Sequence, residues 1–532
     1  MDERELIALL REPSCYPHAP RDVEIVQTHI SIVSLCGDLV YKLKKPLRLP
    51  FLDFSTLAKR RATCRDEVRL NRRLCPDVYL GTAALRAGSD GAGAGARFAA
   101  TGDDDGAGDL DVAVVMRRLP AERMLDRLLA EGACTEAEIR ALARRVAQFH
   151  RGADRGAATR SHGSPDRLRQ LAADNFAEVA AIADHGMHAP LLAAMRTRTE
   201  RDFAAVLPRL RARVAAGHVV DGHGDLHARN ICMTAPPAVY DCIEFNAAFR
   251  CGDVATELAF LCMDLTYRGA RPLAAVFVDE YVGATGDREL PPLLPPLLRY
   301  RAMVRAKVGA LAAAEQELPA ADRDGARRSA ARHLQLAAST AVEDDGPSWL
   351  VLCGPPGSGK STFARALSRG VDWPILATDV VRKQLAGLAP TARAAPEHYT
   401  AAFSARTYAE VQARATAATR GGAPVVLLDG NFPTTRHRAE AAAAARGAGA
   451  RALVLHLDVG EGTGRDRLRR RLDDPARISD AGPDQHDALR RRFEAPTPGA
   501  AGEPPSLELD GELDVDALCA RALVWLVSET TG

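Results

Sequence analysis

The chain has 532 residues, more than one ordinary domain holds, so two or three domains are expected. An apolar content of 47% with 26% charged residues suits packed soluble domains and excludes a disordered chain. A net charge of +1 excludes a strong overall field drawing the protein to nucleic acid or to an acidic membrane.

No apolar run approaches the ~20 residues that span a bilayer, and the opening MDERELIALLREPSCY lacks the basic-then-apolar order of a signal peptide. The eleven cysteines are scattered, without a CxxC pair or zinc spacing. They read as reduced thiols of a cytoplasmic protein, and Cys353, inside an apolar run, reads as a small core residue.

In chain order, CGDLVYKLKKP is a tight turn entering a strand that carries Lys42 and Lys44 on one face, and either lysine can meet nucleotide phosphates. RDEVRLNRRL (65–74) reads as a helix whose Glu67 can form the ion pair that positions that lysine. Residues 86–109, rich in Gly, Ala and Asp, read as a flexible loop between strands. VAVVMRRLP (112–120) reads as a strand running into a hinge, with Met116 at the adenine position. From Thr135 a capping box with Glu138 opens an amphipathic helix, marked by Ile139, Leu142, Val146 and Phe149.

HGDLHARN (223–230) gives Asp225 and Asn230 the acid-to-amide spacing of a kinase catalytic loop, in which the acid accepts a hydroxyl proton and the amide holds a metal. His223 and His227 read as residues that shape this loop. After a Pro-Pro turn at 236–237, YDCIEF supplies Asp241 as a second metal ligand. Glu244 is expected to be a further acidic ligand or else a surface acid. No G-x-G-x-x-G loop is present; HISIVSLCGD occupies its place. In this order the segments resemble the aminoglycoside phosphotransferase family, over residues 20–315. The resemblance implies a protein-kinase-like fold that phosphorylates small-molecule hydroxyls. It also implies that Asp253, in FRCGDVATELAFL, braces the catalytic loop.

The pattern changes near 340–347, after a polar stretch read as a helical connector over 316–346. SWLVLCG, PILATD, PVVLLDG and RALVLHLD are then short aliphatic runs separated by helical stretches, the order of a parallel α/β sheet. GPPGSGKST (354–362) matches G-x-x-x-x-G-K-[ST] between such a strand and a helix. Gly354, Gly357 and Gly359 let the backbone N–H groups of the loop, Ser358 included, curl toward phosphate oxygens, and the helix N-terminus at Thr362 adds positive partial charge. Lys360 is expected at the β/γ-phosphates and Ser361 at Mg²⁺.

Asp379 stands where a carboxylate can take a substrate proton, with Arg382 three residues on, and Asp429 closes a strand where Mg²⁺ ligands lie. Arginines 467, 469, 470 and 471 are either a phosphate lid or a solvated helix face. The layout resembles small P-loop kinases, among them polynucleotide 5′-hydroxyl kinases, zeta-toxin-like kinases and gluconate or shikimate kinases; the D-x-x-R at 379–382 is nearest to the first group.

Both halves together resemble a bacterial two-domain family, with the first domain over 1–315 and the second over 347–532. The expected fold is an α+β protein-kinase-like bilobal domain followed by an α/β P-loop NTPase domain with a mostly parallel sheet. The expected function is an ATP-dependent bifunctional phosphotransferase using ATP and Mg²⁺ on hydroxyl acceptors that the sequence does not name. Two alternatives stand beside it. In one, a single active kinase is governed by the other domain as a nucleotide switch. The other is a nucleic-acid 5′-hydroxyl kinase, which the near-neutral charge disfavours.

Overall fold

A computed structural model describes residues 3–49, 52–87, 96–100, 108–472, 474, 477–500 and 502–529. The chain forms two compact units, Met1–Leu171 with Ala205–Leu297, and Ala172–Ala204 with Leu298–Gly532.

The first unit opens with a six-stranded antiparallel sheet in the order Glu24–Gln27, Ser31–Cys36, Leu39–Lys44, Asp109–Arg117, Tyr79–Arg86 and Arg97–Ala100. Most of the stretch read as a loop over 86–109 lies outside the described residues. Its described part contains the edge strand Arg97–Ala100, which pairs with Tyr79–Arg86 because Phe98 packs against Tyr16 and Tyr41. Alternation along Leu39–Lys44 sends Tyr41 and Leu43 into one core with Leu6, Leu10 and Tyr16. Val40 lies on the opposite face with Cys64 and Val68 of the helix Leu57–Asn71, and Lys42 and Lys44 share that face by register.

Past the sheet, the expected capping box is in place: Thr135 N–H donates to Glu138 Oε2 at 2.9 Å, and the helix runs Glu136–Gly152 with Ile139, Leu142 and Val146 buried. The catalytic-loop sequence sits between two short antiparallel pairs. Val219–Asp221 pairs with Cys251–Asp253, and Ile231–Cys232 pairs with Ala238–Val239. The helix Val254–Tyr267 is buried along nearly its whole length and lies beneath them.

In the second unit, five parallel strands run in the order Ile375–Ala377, Val425–Asp429, Ser348–Cys353, Arg451–Asp458 and Ser506–Asp510. The four apolar runs supply the first four, and Ser506–Asp510 adds an edge strand the sequence reading did not single out. The polar stretch read as a connector carries the helix Ala320–Glu343. Leu334, Leu336, Ala337, Ala341 and Val342 form its buried stripe, and Gln335 Nε2 donates to Ala366 O at 2.8 Å. Cys353 is core as expected, and burial pushes its thiol up to about 12. No helix among the described residues is long and apolar enough to cross a membrane.

Candidate active sites

The first site begins with a chain of alternating charges. Glu67 is fully buried on the sheet-facing side of its helix, and its two oxygens serve both lysines: Oε1 meets Lys42 Nζ at 2.9 Å and Oε2 meets Lys44 Nζ at 2.6 Å. Lys42 continues to Asp241, and Lys44 continues to Glu244. The order is therefore Asp241, Lys42, Glu67, Lys44, Glu244. Burial alone favours the neutral forms, but the two lysines hold Glu67 down to about 2, and Asp241 and Glu67 hold Lys42 well above its ordinary value.

Exposure separates the two lysines. The Lys44 side chain is 1% exposed and its partner Glu244 4%, whereas Lys42 is 13% exposed and its partner Asp241 42%. Lys42 therefore stands at the open end with the residue expected to hold a metal. Lys44 is a buried counter-charge. Glu244 is neither a surface acid nor open to a metal: it is buried on Lys44, and burial raises its carboxyl despite that lysine. The Met116 side chain is buried with Val40, Val68 and Tyr79, its register placing it beside Val40 on the face of the sheet that carries Lys42.

The catalytic loop is held by bonds that converge on Asp225. Asn230 Nδ2 donates to Asp225 Oδ2 at 2.9 Å and to its carbonyl at 3.0 Å, and His227 Nε2 lies 3.3 Å from Oδ2. His223 shapes the loop as expected: its Nδ1 accepts from Asp225 N–H at 3.3 Å, and its Nε2 donates to Tyr240 O at 3.0 Å. Because Tyr240 precedes Asp241, this one ring ties the Asp225 loop to the segment that carries Asp241. Asp241 adopts φ +63°, a conformation Asp tolerates better than most residues, and its N–H donates to Tyr79 Oη at 3.2 Å.

Several braces were missed from the sequence. Glu257 Oε2 accepts from His223 N–H at 2.8 Å while its Oε1 lies 3.2 Å from His150 Nε2. It presses so close that a Cβ on Gly222 would stand 2.1 Å from it. Asp264 Oδ2 accepts from Ala228 N–H at 2.8 Å, and Asp221 is clasped by Arg73 at 3.0 Å and Arg250 at 2.6 Å. Asp253 itself does not touch the loop through its carboxylate. Arg213 grips it at 2.7 Å and 3.0 Å, and it caps Val254–Tyr267 by accepting from Ala255 N–H at 2.9 Å. Its bracing acts through that helix, whose Glu257 and Asp264 make the direct bonds.

The second site lies at the C-terminal ends of the parallel strands. The P-loop follows Ser348–Cys353 and opens the helix Lys360–Leu367, with Gly354, Gly357 and Gly359 at φ +138°, +85° and +96°. Side chains are excluded at two of these positions: a Cβ on Gly354 would stand 2.2 Å from Leu457 O, and one on Gly357 2.5 Å from Gly464 O. Lys360 Nζ donates to Gly354 O and Pro355 O at 2.9 Å each and to Ser358 Oγ at 3.2 Å. Burial pushes this lysine down to about 8, with Asp429 pulling it upward. The Ser358 side chain is buried beneath the loop, whereas Ser361 and Thr362 line the cleft.

That cleft is about 2260 Å³ and is lined by the P-loop, Asp379, Arg382, Asp429 and Arg471. A drug-sized ligand fills roughly 300–1,000 Å³, so a nucleotide and an acceptor fit together. Burial raises the Asp379 carboxyl, and Asp429 and Asp480 raise it further, against a hydrogen bond from Ser479 and the charge of Arg382. Arg382 donates to His398 O at 2.7 Å and stacks 4.7 Å from the Tyr399 ring. Tyr399 Oη in turn donates to Asp480 at 2.6 Å.

The structure also sorts the arginines. Arg469 and Arg470 are exposed, and Arg469 pairs with Asp466 at 3.0 Å. Arg467 and Arg471, one helical turn apart, face the P-loop: a Cβ on Gly359 would stand 3.5 Å from Arg467 Nη1, and Arg471 lines the cleft.

Both sites fit Mg²⁺ by donor chemistry. Asn230 and Asp241 in one, and Ser361 and Asp429 in the other, are hard oxygen donors. Mg²⁺ on a nucleotide takes only one or two protein groups and fills its octahedron with phosphates and water.

Residues 54–295 match the model described as "Phosphotransferase enzyme family", and residues 350–496 match one described as "AAA domain". The uncharacterized protein Rv2004c of Mycobacterium tuberculosis is 30% identical over 378 residues, 70% of this chain and 71% of that protein. The chain belongs to this two-domain family. The chain joins an aminoglycoside phosphotransferase-type domain to a P-loop kinase-type domain and is kinase-like in both halves. Among solved structures, the amicoumacin kinase hAmiN in complex with AMP-PNP is 13% identical, covering 63% of this chain and 93% of its own, with a TM-score of 0.37. A gluconokinase from Sinorhizobium meliloti 1021 is 16% identical, covering 34% of this chain and 93% of its own, with a TM-score of 0.26.

Proposed function

We propose that this family member is a bifunctional ATP-dependent phosphotransferase, with each unit moving the γ-phosphate to a hydroxyl of its own small-molecule acceptor. The observation that supports the reading is that each unit brings together residues suited to one set of roles: a lysine for the nucleotide phosphates, a pair of hard oxygen donors and a separate carboxylate for the base. In the first unit these are Lys42, Asn230 with Asp241, and Asp225; in the second, Lys360, Ser361 with Asp429, and Asp379.

At the first site Asp225 accepts the acceptor's hydroxyl proton as that oxygen attacks the γ-phosphorus. The bond from phosphorus to the ADP oxygen breaks, and ADP leaves with the electron pair. Glu67 holds Lys42 charged and pointed at the phosphates. At the second site the P-loop N–H groups and Lys360 hold the phosphates, and burial, which raises the Asp379 carboxyl, makes it a stronger proton acceptor than an ordinary aspartate. Arg467 and Arg471 meet the charge on the transferring group. Mg²⁺, when bound, would neutralise charge on the β- and γ-phosphates at both sites.

ADP release across sugars, aminoglycosides, nucleosides and 5′-hydroxyl oligonucleotides tests the reading. Asp225→Asn is expected to abolish one set of acceptors and Asp379→Asn another, each by about 10²-fold or more with nucleotide affinity kept. If one substitution removes every activity and the other none, the spared site is a nucleotide switch and the bifunctional reading fails. If 5′-hydroxyl oligonucleotides alone are lost with Asp379→Asn, the second unit is an end-processing kinase.

A further inference from the structure

We propose that His486 is a positioning residue of the second site, a buried pin that seats Arg467 and Arg471 over the P-loop. The proposal rests on reading that site as a phosphotransferase. Helices Glu461–Arg470 and Pro483–Arg491 form one arm, clamped by Arg465 Nε to Asp487 Oδ1 at 2.9 Å. His486 stands between them at 0% exposure, and its Nδ1 lies 3.0 Å from Pro356 O in the P-loop. A carbonyl only accepts, so the ring proton is on Nδ1; Nε2 is buried with no partner.

The ring faces Gly464, where a Cβ would stand 2.5 Å from His486 Cε1. Gly464 in turn presses on the P-loop, its carbonyl 2.5 Å from where a Gly357 Cβ would be. Glycine weakens a helix interior, and here it makes room for both the ring and the loop. Pro356 and Gly357 therefore touch the arm side by side, one through a hydrogen bond and one through backbone contact. The same arm carries Arg467, one turn after Gly464. Any movement of the loop around a phosphate is passed through His486 to the arginines, and the arginines are in register only while the pin holds. A histidine that merely filled space would affect stability and leave this coupling untouched.

The test measures ADP affinity with and without aluminium fluoride, a mimic of the transferring phosphoryl group, in the full chain carrying Asp241→Ala to silence the first site. ADP alone reports the P-loop, and the gain from fluoride reports the arginines. The unpinned chain is expected to bind ADP within about threefold of the pinned one, while a fluoride gain of about tenfold or more falls to about twofold or less in His486→Leu. Arg467→Ala should lose the same gain, and the double variant no more than either single one, since both remove one unit. Gly464→Ala, which improves helix propensity but pushes on the ring, should reproduce the loss even if His486→Leu fails to fold. His486→Asn, which keeps an N–H donor, should restore most of the gain.

Additive losses in the double variant, an unchanged gain in His486→Leu and Gly464→Ala, or no fluoride gain in the pinned chain would each overturn the proposal. Lys360→Ala separates the two readings. If it leaves ADP binding intact, the nucleotide site itself is misread; if it abolishes binding while the His486 variants keep the gain, only the pin is wrong.

Discussion

Glu67 is fully buried between two lysines, and the charges on either side of it see different amounts of water. Lys44 and Glu244 are closed off, so Lys44→Ala leaves Glu244 buried without its cation while Glu67 keeps only Lys42. Breaking a buried pair costs about 3–5 kcal/mol, and urea unfolding of this variant should show a loss of that order. Lys42→Ala leaves Lys44 on Glu67 and strands only the half-exposed Asp241. It should abolish turnover at the first site for a smaller loss of stability. The reverse pattern would make Lys44 the phosphate lysine. The sequence shows two lysines on one strand face and cannot rank them, because the ranking comes from Glu244, 200 residues away.

The same scale holds a pH prediction at the second site. Burial pushes Lys360 down to about 8, and a bound polyphosphate favours the charged lysine, so binding raises this pKa and takes up a proton. ADP affinity is then greatest below pH 8 and declines as pH rises through about 8. Calorimetry in buffers of different ionisation enthalpy should detect proton uptake near that pH, and Lys360→Met should abolish it. Proton release on binding would contradict the assignment.

At the scale of elements, the catalytic loop owes its shape to the helix beneath it. Glu257 and Asp264 accept backbone N–H groups of His223 and Ala228, and His223 passes the constraint to Asp225 and Tyr240. Glu257→Leu leaves the His223 N–H buried without an acceptor, a cost of about 1–3 kcal/mol. The variant should lose kcat at the first site more than it raises the nucleotide KM, because the base is displaced while Lys42 and Glu67 are untouched. Glu257→Gln keeps an acceptor and should retain most activity; an equal loss in both variants would place the role in charge rather than geometry. HGDLHARN and GPPGSGKST were legible because their chemistry fixes residue types at short spacing. Glu257, Asp264 and His486 were not, since each meets its target across more than 30 residues and sits in a helix that carries no motif of its own.

For the whole molecule, the sequence pattern places one change of architecture near 340–347, and the parallel strands after it are as read. The compact units exchange the chain more than once, with Ala172–Ala204 joining the second. Arg198 of that segment bonds Ala341 O at 3.1 Å and Asp345 at 3.0 Å. An apolar stripe of Ala and Leu does not say which core it will enter, so helices divide between units without a local signal. The motifs, by contrast, stay whole within their units. On the proposed reading, one chain binds nucleotide at two separate sites.

Titration calorimetry of the full chain with a non-hydrolysable ATP analogue and Mg²⁺ tests this directly. Two bound nucleotides per chain are expected, one remaining in Lys42→Ala, the other remaining in Lys360→Ala, and none in the double variant. A single bound nucleotide in the unaltered chain, lost entirely with either substitution alone, would contradict it.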